Sequence, residues 1–295
     1  MRTPLLKRLR HVLEWGVVKT MFAAFKLMGM RRSSDYMAGL ARWLGPKISK
    51  TRIARNNLRH AFPDWTEQQV ESTIKDMWEN MGRYFGELPH IPPMPAEAFR
   101  NIAEICGEEN LHAATSMGKG SLFFSAHMAN WELGAKSSWA CGVPFAIVYR
   151  PLNNPLTEAL TTGFRNQYQS QGLPKTPAGT RELMKTLRKG EPVAILIDQK
   201  MNTGEPVPFF GRDAMTSTAI ADLAIKYGYP IIPTRVERLG HEPKFRITFE
   251  KPVEWTASNN AKADAHKLMS TLHGIMEGWI RERPAQWFWV HKRWG

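Results

Sequence analysis

In the stretch SLFFSAHMANWELGAK (121–136), His127 follows a strand-like apolar run and Glu132 stands five residues further on. In a continuous helix that spacing would turn the two side chains about 140° apart, so His127 must lie ahead of the helix. With Asn130 as N-cap, Glu132 falls in the first helical turn and reaches back toward an imidazole at the strand's carboxyl end. In open α/β sheets that edge is where ligands bind. A carboxylate on one ring nitrogen fixes the tautomer and stabilises the imidazolium, leaving the other nitrogen to take a proton from a hydroxyl. Spacing alone does not separate this pair from an ordinary histidine beside a helix start that carries a dipole-favoured glutamate.

Three further segments carry polar residues where apolar runs end. In VYRPLNNP (148–155) Arg150 closes one run with a fork suited to phosphate, and Asn154 stands near it. In AILIDQK Asp198 closes another, followed by PFFG and a helix start at Thr216 and Ser217. The tail RPAQWFWVHKRW interleaves aromatics with His291, Lys292 and Arg293. Each has a bland counterpart: a structural ion pair, a turn cap and core aromatics.

These groups need a scaffold. From about residue 120, the runs LFFS, VPFAIVY, VAILI, PIIPTRV and FRITFE alternate with helical patterns over 156–171, 179–189 and 217–228, the rhythm of an α/β domain. The short turn around Gly240 makes the last two runs a hairpin, so the sheet is mixed. Residues 262–282 read as a closing helix and WFWV (287–290) as a further strand. Ahead of the chemistry, 51–90 carries two helices, the second opened by a capping-box spacing of Thr66 and Gln69, and LPHIPPMP (88–95) is a connector. No internal repeat is present, which excludes a solenoid.

The 295 residues carry a formal net charge of +13, with 43% hydrophobic and 23% charged residues. The fold is globular, and its field favours acidic partners. No zinc-finger spacing, RNP-like aromatic signature or basic low-complexity tail points to nucleic acid. Cys106 and Cys141 lack metal or disulfide spacing and read as reduced thiols.

The apolar stretch 12–30 is broken by Glu14, Lys19 and Lys26, so it misses the uncharged length of a clear membrane span. Trp15, Val18, Phe22, Phe25 and Gly29 follow a helical rhythm, and basic residues (Arg2, Lys7, Arg8 and Arg10 before it; Arg31, Arg32 and Arg42 after it) flank both ends. This predicts an amphipathic helix lying in a membrane interface with that aromatic face in the acyl boundary. A tilted span with snorkelling lysines and a surface helix packed on the domain stay open as alternatives. The division expected is a membrane-associating segment over 1–45 and one α/β domain over 46–295, with the helix delivering the protein to lipid rather than building the site.

Taken together, HMANWE, YRPLNNP, LIDQ with PFFG, and PAQWFWVHKRW, in this order behind an N-terminal hydrophobic helix, resemble the late acyltransferases of lipid A biosynthesis, the lauroyl and myristoyl transferase family. The likeness covers nearly the whole chain. It implies the glycerol-phosphate acyltransferase-like fold, with Glu132 where the wider superfamily usually carries Asp. It also implies a donor acyl chain held as a thioester on acyl carrier protein, an anionic glycolipid acceptor, and a place on the cytoplasmic face of the bacterial inner membrane. His127 would be the base and Glu132 its orienting acid, with Arg150, Asp198, Asn130 and Asn154 toward the substrates; neither metal nor cofactor is implied. No G-x-S-x-G elbow is present, which argues against a covalent acyl-enzyme. The rivals are an acyltransferase of the same fold using another glycolipid or phospholipid, or coenzyme A as donor, and a non-catalytic basic protein docking on anionic lipid.

Overall fold

The computed structural model describes residues 5–294, so Arg2 lies outside the described residues. Four helices open the chain: α1 (Leu5–Met28), α2 (Met30–Leu44), α3 (Thr51–Ala61) and α4 (Glu67–Glu87). The capping box forms as its spacing predicts. The Thr66 hydroxyl accepts from the Gln69 N–H while the Gln69 side chain accepts from the Thr66 N–H. Helices α2 and α4 cross closely because Gly82 and Gly86 have no side chain. A Cβ at Gly82 would meet Met37 O at 2.1 Å, and one at Gly86 would meet Ser33 O at 2.4 Å.

After the 88–95 connector come α5 (Ala96–Arg100), β1 (Ala103–Cys106), α6 (Glu108–Thr115), β2 (Ser121–Ser125), α7 (Leu133–Ala140), β3 (Ala146–Tyr149), α8 (Pro155–Asn166), β4 (Gly172–Pro174), α9 (Pro177–Arg188) and β5 (Pro192–Leu196). The chain finishes with β6 (Glu205–Phe209), β7 (Arg212–Thr216), α10 (Ala219–Tyr227), β8 (Ile231–Arg238), β9 (Phe245–Phe249) and α11 (Ala261–Glu282). The main sheet runs β1-β9-β8-β2-β5-β3-β4. It is mixed, as predicted: β8 and β9 form the antiparallel hairpin and the other pairs are parallel.

Alternation along the strands sets two cores. Leu122 and Phe124 of β2, Val193 of β5 and Ile231 of β8 face the side covered by α10 and α11. Phe123 and Ile232 face the side covered by α6 and α7.

Three expectations are corrected. WFWV is not a strand: Trp287 makes one bridge to Met128, and the tail threads through the core with Trp287 and Trp289 fully buried. PFFG does not lead straight to a helix start; it forms the turn of the β6–β7 hairpin, with Thr216 ending β7 and α10 beginning at Ala219. On α1, the face carrying Trp15, Val18, Phe22 and Phe25 turns toward the protein. Phe25 is buried and the Phe22 ring lies 5.7 Å from that of Phe164 on α8. A second stripe, including Leu5, Leu6, Leu9, Leu13 and Leu27, faces outward, with Leu6 80% and Leu27 91% exposed. No described helix is long and apolar enough to cross a membrane.

Candidate active site

Strands β2, β5 and β3 are parallel neighbours, so their carboxyl ends lie side by side. His127 comes two residues after β2, Asp198 two after β5 and Arg150 one after β3. Residues far apart in sequence therefore meet at one sheet edge, the edge where open α/β folds place ligands.

The imidazole is oriented by Asp198. Asp198 has no solvent exposure, and its carboxylate takes three hydrogen bonds: from His127 Nδ1 at 2.7 Å, from the His127 backbone N–H at 2.8 Å and from Trp287 Nε1 at 2.8 Å. Burial alone would raise its pKa, but the neighbouring His127 imidazole, then His291 and the His127 N–H, hold it well below the ordinary carboxylate range. An ionised carboxylate only accepts, so Nδ1 carries a proton, and in the neutral ring the lone pair falls on Nε2. The Gln199 amide donates to Nε2 at 3.3 Å.

Glu132 is engaged elsewhere, which corrects the expected pairing with His127. It occupies the N-cap position of α7 and accepts from Arg165 Nη2 at 3.3 Å and from the Tyr168 hydroxyl at 3.2 Å. Burial first, then the Glu132 charge, push the Tyr168 phenol well above its usual value, so it stays a donor. Asn130 is not the N-cap. It is fully buried and its Nδ2 donates to Glu87 at 3.2 Å. Glu87, itself without exposure, also accepts from Ser34 at 2.9 Å and from Arg238 at 2.7 Å, tying the loop after β2 to α2, α4 and β8.

That loop is strained and clamped. Ala129 has φ 49°, a left-handed conformation that disfavours a side chain. The tail holds it in place: the Ala129 N–H donates to Gln286 O at 2.8 Å and the Phe288 N–H to His127 O at 3.1 Å. Trp131 lies at 5.1 Å and His291 at 5.2 Å from the His127 ring, centroid to centroid. Burial lowers the His291 pKa to about 4, opposed by Asp198 and assisted by His127, so this second imidazole is neutral at pH 7.

His127, Glu132, Arg150 and Gln199 line a cavity of about 200 Å³ that runs inward between the sheet and α7. Its depth comes from small residues, among them Gly134, Ala135 and Ala194. Lys175 and Arg165 border it as well. Asn154, expected at the substrate, is instead the buried N-cap of α8. Its Oδ1 accepts from Leu156 N–H at 3.0 Å, while its Nδ2 donates to His11 O at 2.9 Å and to Glu14 at 3.0 Å, latching α8 to α1. Arg165, Tyr168, Lys175, Gln199 and Trp287 were not singled out from sequence. Gln199 stands in the LIDQ segment and Trp287 in the aromatic and basic tail, whereas Arg165, Tyr168 and Lys175 lie outside the marked segments. Among the described residues there is no cluster of side chains that would hold a metal ion.

A proton-accepting imidazole fixed by a buried carboxylate, in a cavity lined by both charged and apolar side chains, is equipped to activate a hydroxyl beside an alkyl-bearing electrophile. Comparison with known proteins gives this chemistry a family. A lipid A biosynthesis acyltransferase of Haemophilus influenzae is 25% identical over 283 residues, covering 94% of this chain and 86% of its own length. The lipid A biosynthesis palmitoleoyltransferase of Escherichia coli is 25% identical, covering 82% and 77%. A phosphatidylinositol mannoside acyltransferase of Mycobacterium tuberculosis is 24% identical, covering 73% and 68%. The family model for the bacterial lipid A biosynthesis acyltransferases matches residues 2–295, and the chain belongs to that family of acyltransferases.

Proposed function

We propose that the protein moves an acyl chain from an acyl carrier protein thioester to a hydroxyl of a lipid A precursor at the cytoplasmic face of the bacterial inner membrane. The observation that carries the reading is the 2.7 Å bond from His127 Nδ1 to buried Asp198, which leaves Nε2 at the cavity. His127 Nε2 takes the acceptor's hydroxyl proton as the oxygen attacks the thioester carbonyl. Collapse of the tetrahedral intermediate breaks the C–S bond, and the imidazolium returns its proton to the departing sulfur. Asp198 holds the tautomer and stabilises the imidazolium, a role first expected of Glu132. Glu132 acts one step away, by fixing Arg165 at the cavity wall. Arg150 is the group for the developing oxyanion or an acceptor phosphate.

The donor's acyl chain lies in the cavity between the sheet and α7, and its positively charged surroundings suit an acidic carrier and a phosphorylated glycolipid. The outward stripe of α1 seats in the bilayer interface over about 36 Å, the length of 24 helical residues. A second reading is transfer to another glycolipid, favoured by the likeness to the mycobacterial mannoside acyltransferase. The test is to incubate purified protein with acyl carrier protein or coenzyme A thioesters and either lipid class, and to read products by mass spectrometry. The proposal expects a lipid A precursor heavier by one acyl group with the carrier-protein donor. Product only on another glycolipid would replace it with the second reading.

A further inference from the structure

Glu132 and Arg165 border a second cavity as well as the one that holds His127. It is about 70 Å³, walled mainly by apolar groups such as Phe22 of α1, Leu88, Ile91 and Phe164. Two of the residues that line it hold a buried polar atom with no partner: Asn130 its Oδ1, an acceptor, and Arg165 its Nε, a donor. Asn130 is fully buried, and the bond from its Nδ2 to Glu87 fixes which end of the amide is left over. Lys136, also in the wall, is already engaged: its Nζ donates to Pro92 O at 3.1 Å and Met94 O at 2.6 Å and lies 3.9 Å from the centre of the Trp139 ring. Buried polar groups are normally satisfied. An apolar slot with one free acceptor and one free donor is thus complementary to a ligand that is mostly hydrocarbon and carries one group able to do both.

We propose that this cavity receives the root of an alkyl chain of the lipid acceptor, together with a hydroxyl or secondary amide at that root. The inference rests on the acyltransferase reading above. An ester would accept from Arg165 but leave Asn130 Oδ1 unsatisfied, so the slot favours hydroxyl or amide over ester. A single water needs about 10–15 Å³ of free cavity volume, so about 70 Å³ admits a handful of heavy atoms, the root of a chain and not its length. The remainder of the chain leaves along α1 and α8, toward the face of α1 proposed to sit in lipid. The Glu132–Arg165 pair then stands between two chains, the donor's in the first cavity and the acceptor's in the second.

The test fills the slot from α8. Thr161 lines it, and its hydroxyl bonds only to Glu158 O of its own helix, so Thr161→Trp adds bulk without breaking a distant contact. The KM for the lipid acceptor should rise about tenfold or more, the loss expected when burial of roughly two methylene groups is forfeited, with the donor KM unmoved. An unchanged acceptor KM, or a joint rise in both constants, would overturn the proposal. A direct arm uses a medium-chain alkanol carrying a diazirine on the carbon beside its hydroxyl-bearing end. Photolysis should label peptides containing Leu88, Ile91 or Phe164 in the unaltered protein and not in Thr161→Trp. Absence of labelling there would mean the slot holds only water. Failure of the protein to acylate any lipid would sink the acyltransferase reading itself, whereas the labelling arm still reports on the cavity.

Discussion

Asp198 is a carboxylate without solvent contact, and every hydrogen bond it accepts either comes from His127 or comes from the tail that clamps the loop carrying His127. Glu132 belongs to a separate cluster with Arg165 and Tyr168. The two carboxylates therefore make different predictions in double-mutant kinetics. His127→Ala and Asp198→Asn share one function, so the double variant should be hardly slower than the worse single. Glu132→Gln should multiply with either, because it acts through another residue. Rates from a thioester-consumption assay decide this, and strong additivity between His127 and Asp198 would separate them.

Two buried histidines that take no proton from substrate make the fold sensitive to acid. His291 and His273 both ionise near pH 4 in the folded protein, chiefly because burial penalises their charged forms. In the unfolded chain they ionise near pH 6.5. Between those values the unfolded chain binds more protons, so stability is fully present above about pH 6.5 and falls as pH drops toward 4. Thermal unfolding midpoints across that range should slope downward with acid, and His273→Gln should flatten part of the slope. A midpoint independent of pH would contradict the neutral, buried state of both rings.

At the scale of elements, the small residues of α7 and β5 give the first cavity its depth. A Cβ at Gly134 would lie 3.5 Å from Thr234 Cγ2, an ordinary contact, so alanine fits there but a longer side chain intrudes on the cavity. Gly134→Leu should shift donor preference toward shorter acyl chains, read by competing thioesters of different length; an unchanged preference would place the chain elsewhere. Helix α8 has no buried residue of its own and is held by the Asn154 latch and Phe22 on one side and by the Arg165–Glu132 pair on the other. Removing α1 should therefore cost most of the activity even on a detergent-dispersed acceptor, where mere delivery to lipid would leave much of it intact.

The sequence was most readable where local pattern decides. The alternation of apolar runs and helical stretches placed β2, β3, β5 and the β8–β9 hairpin, and the capping box at Thr66 is local chemistry. It was least readable where sheet order decides. Which carboxylate reaches His127 depends on β5 lying beside β2, and nothing within HMANWE encodes that neighbour. The near spacing of Glu132 favoured the wrong partner for the same reason. Likewise, periodicity found an amphipathic α1 but could not tell which of its two apolar faces the protein covers.

At the scale of the whole molecule, the +13 charge and the outward apolar stripe of α1 are the features on which the proposed seat at an anionic lipid surface rests. Leu9→Glu with Leu13→Glu should abolish sedimentation with vesicles containing anionic lipid while leaving the circular dichroism spectrum unchanged; retained binding would assign the membrane contact to another surface.

The central claim is that His127, held by Asp198, transfers the proton that lets a lipid hydroxyl take the acyl chain. Its most direct test is the turnover of a lipid A precursor with an acyl carrier protein thioester, followed by mass spectrometry for the unaltered protein, His127→Ala and Asp198→Asn, each checked for folding. The account predicts one added acyl chain with the unaltered protein, and rates lower by roughly 10² to 10⁴ in both variants, the range of general-base assistance. A folded His127→Ala protein that acylates the lipid at the normal rate would contradict it.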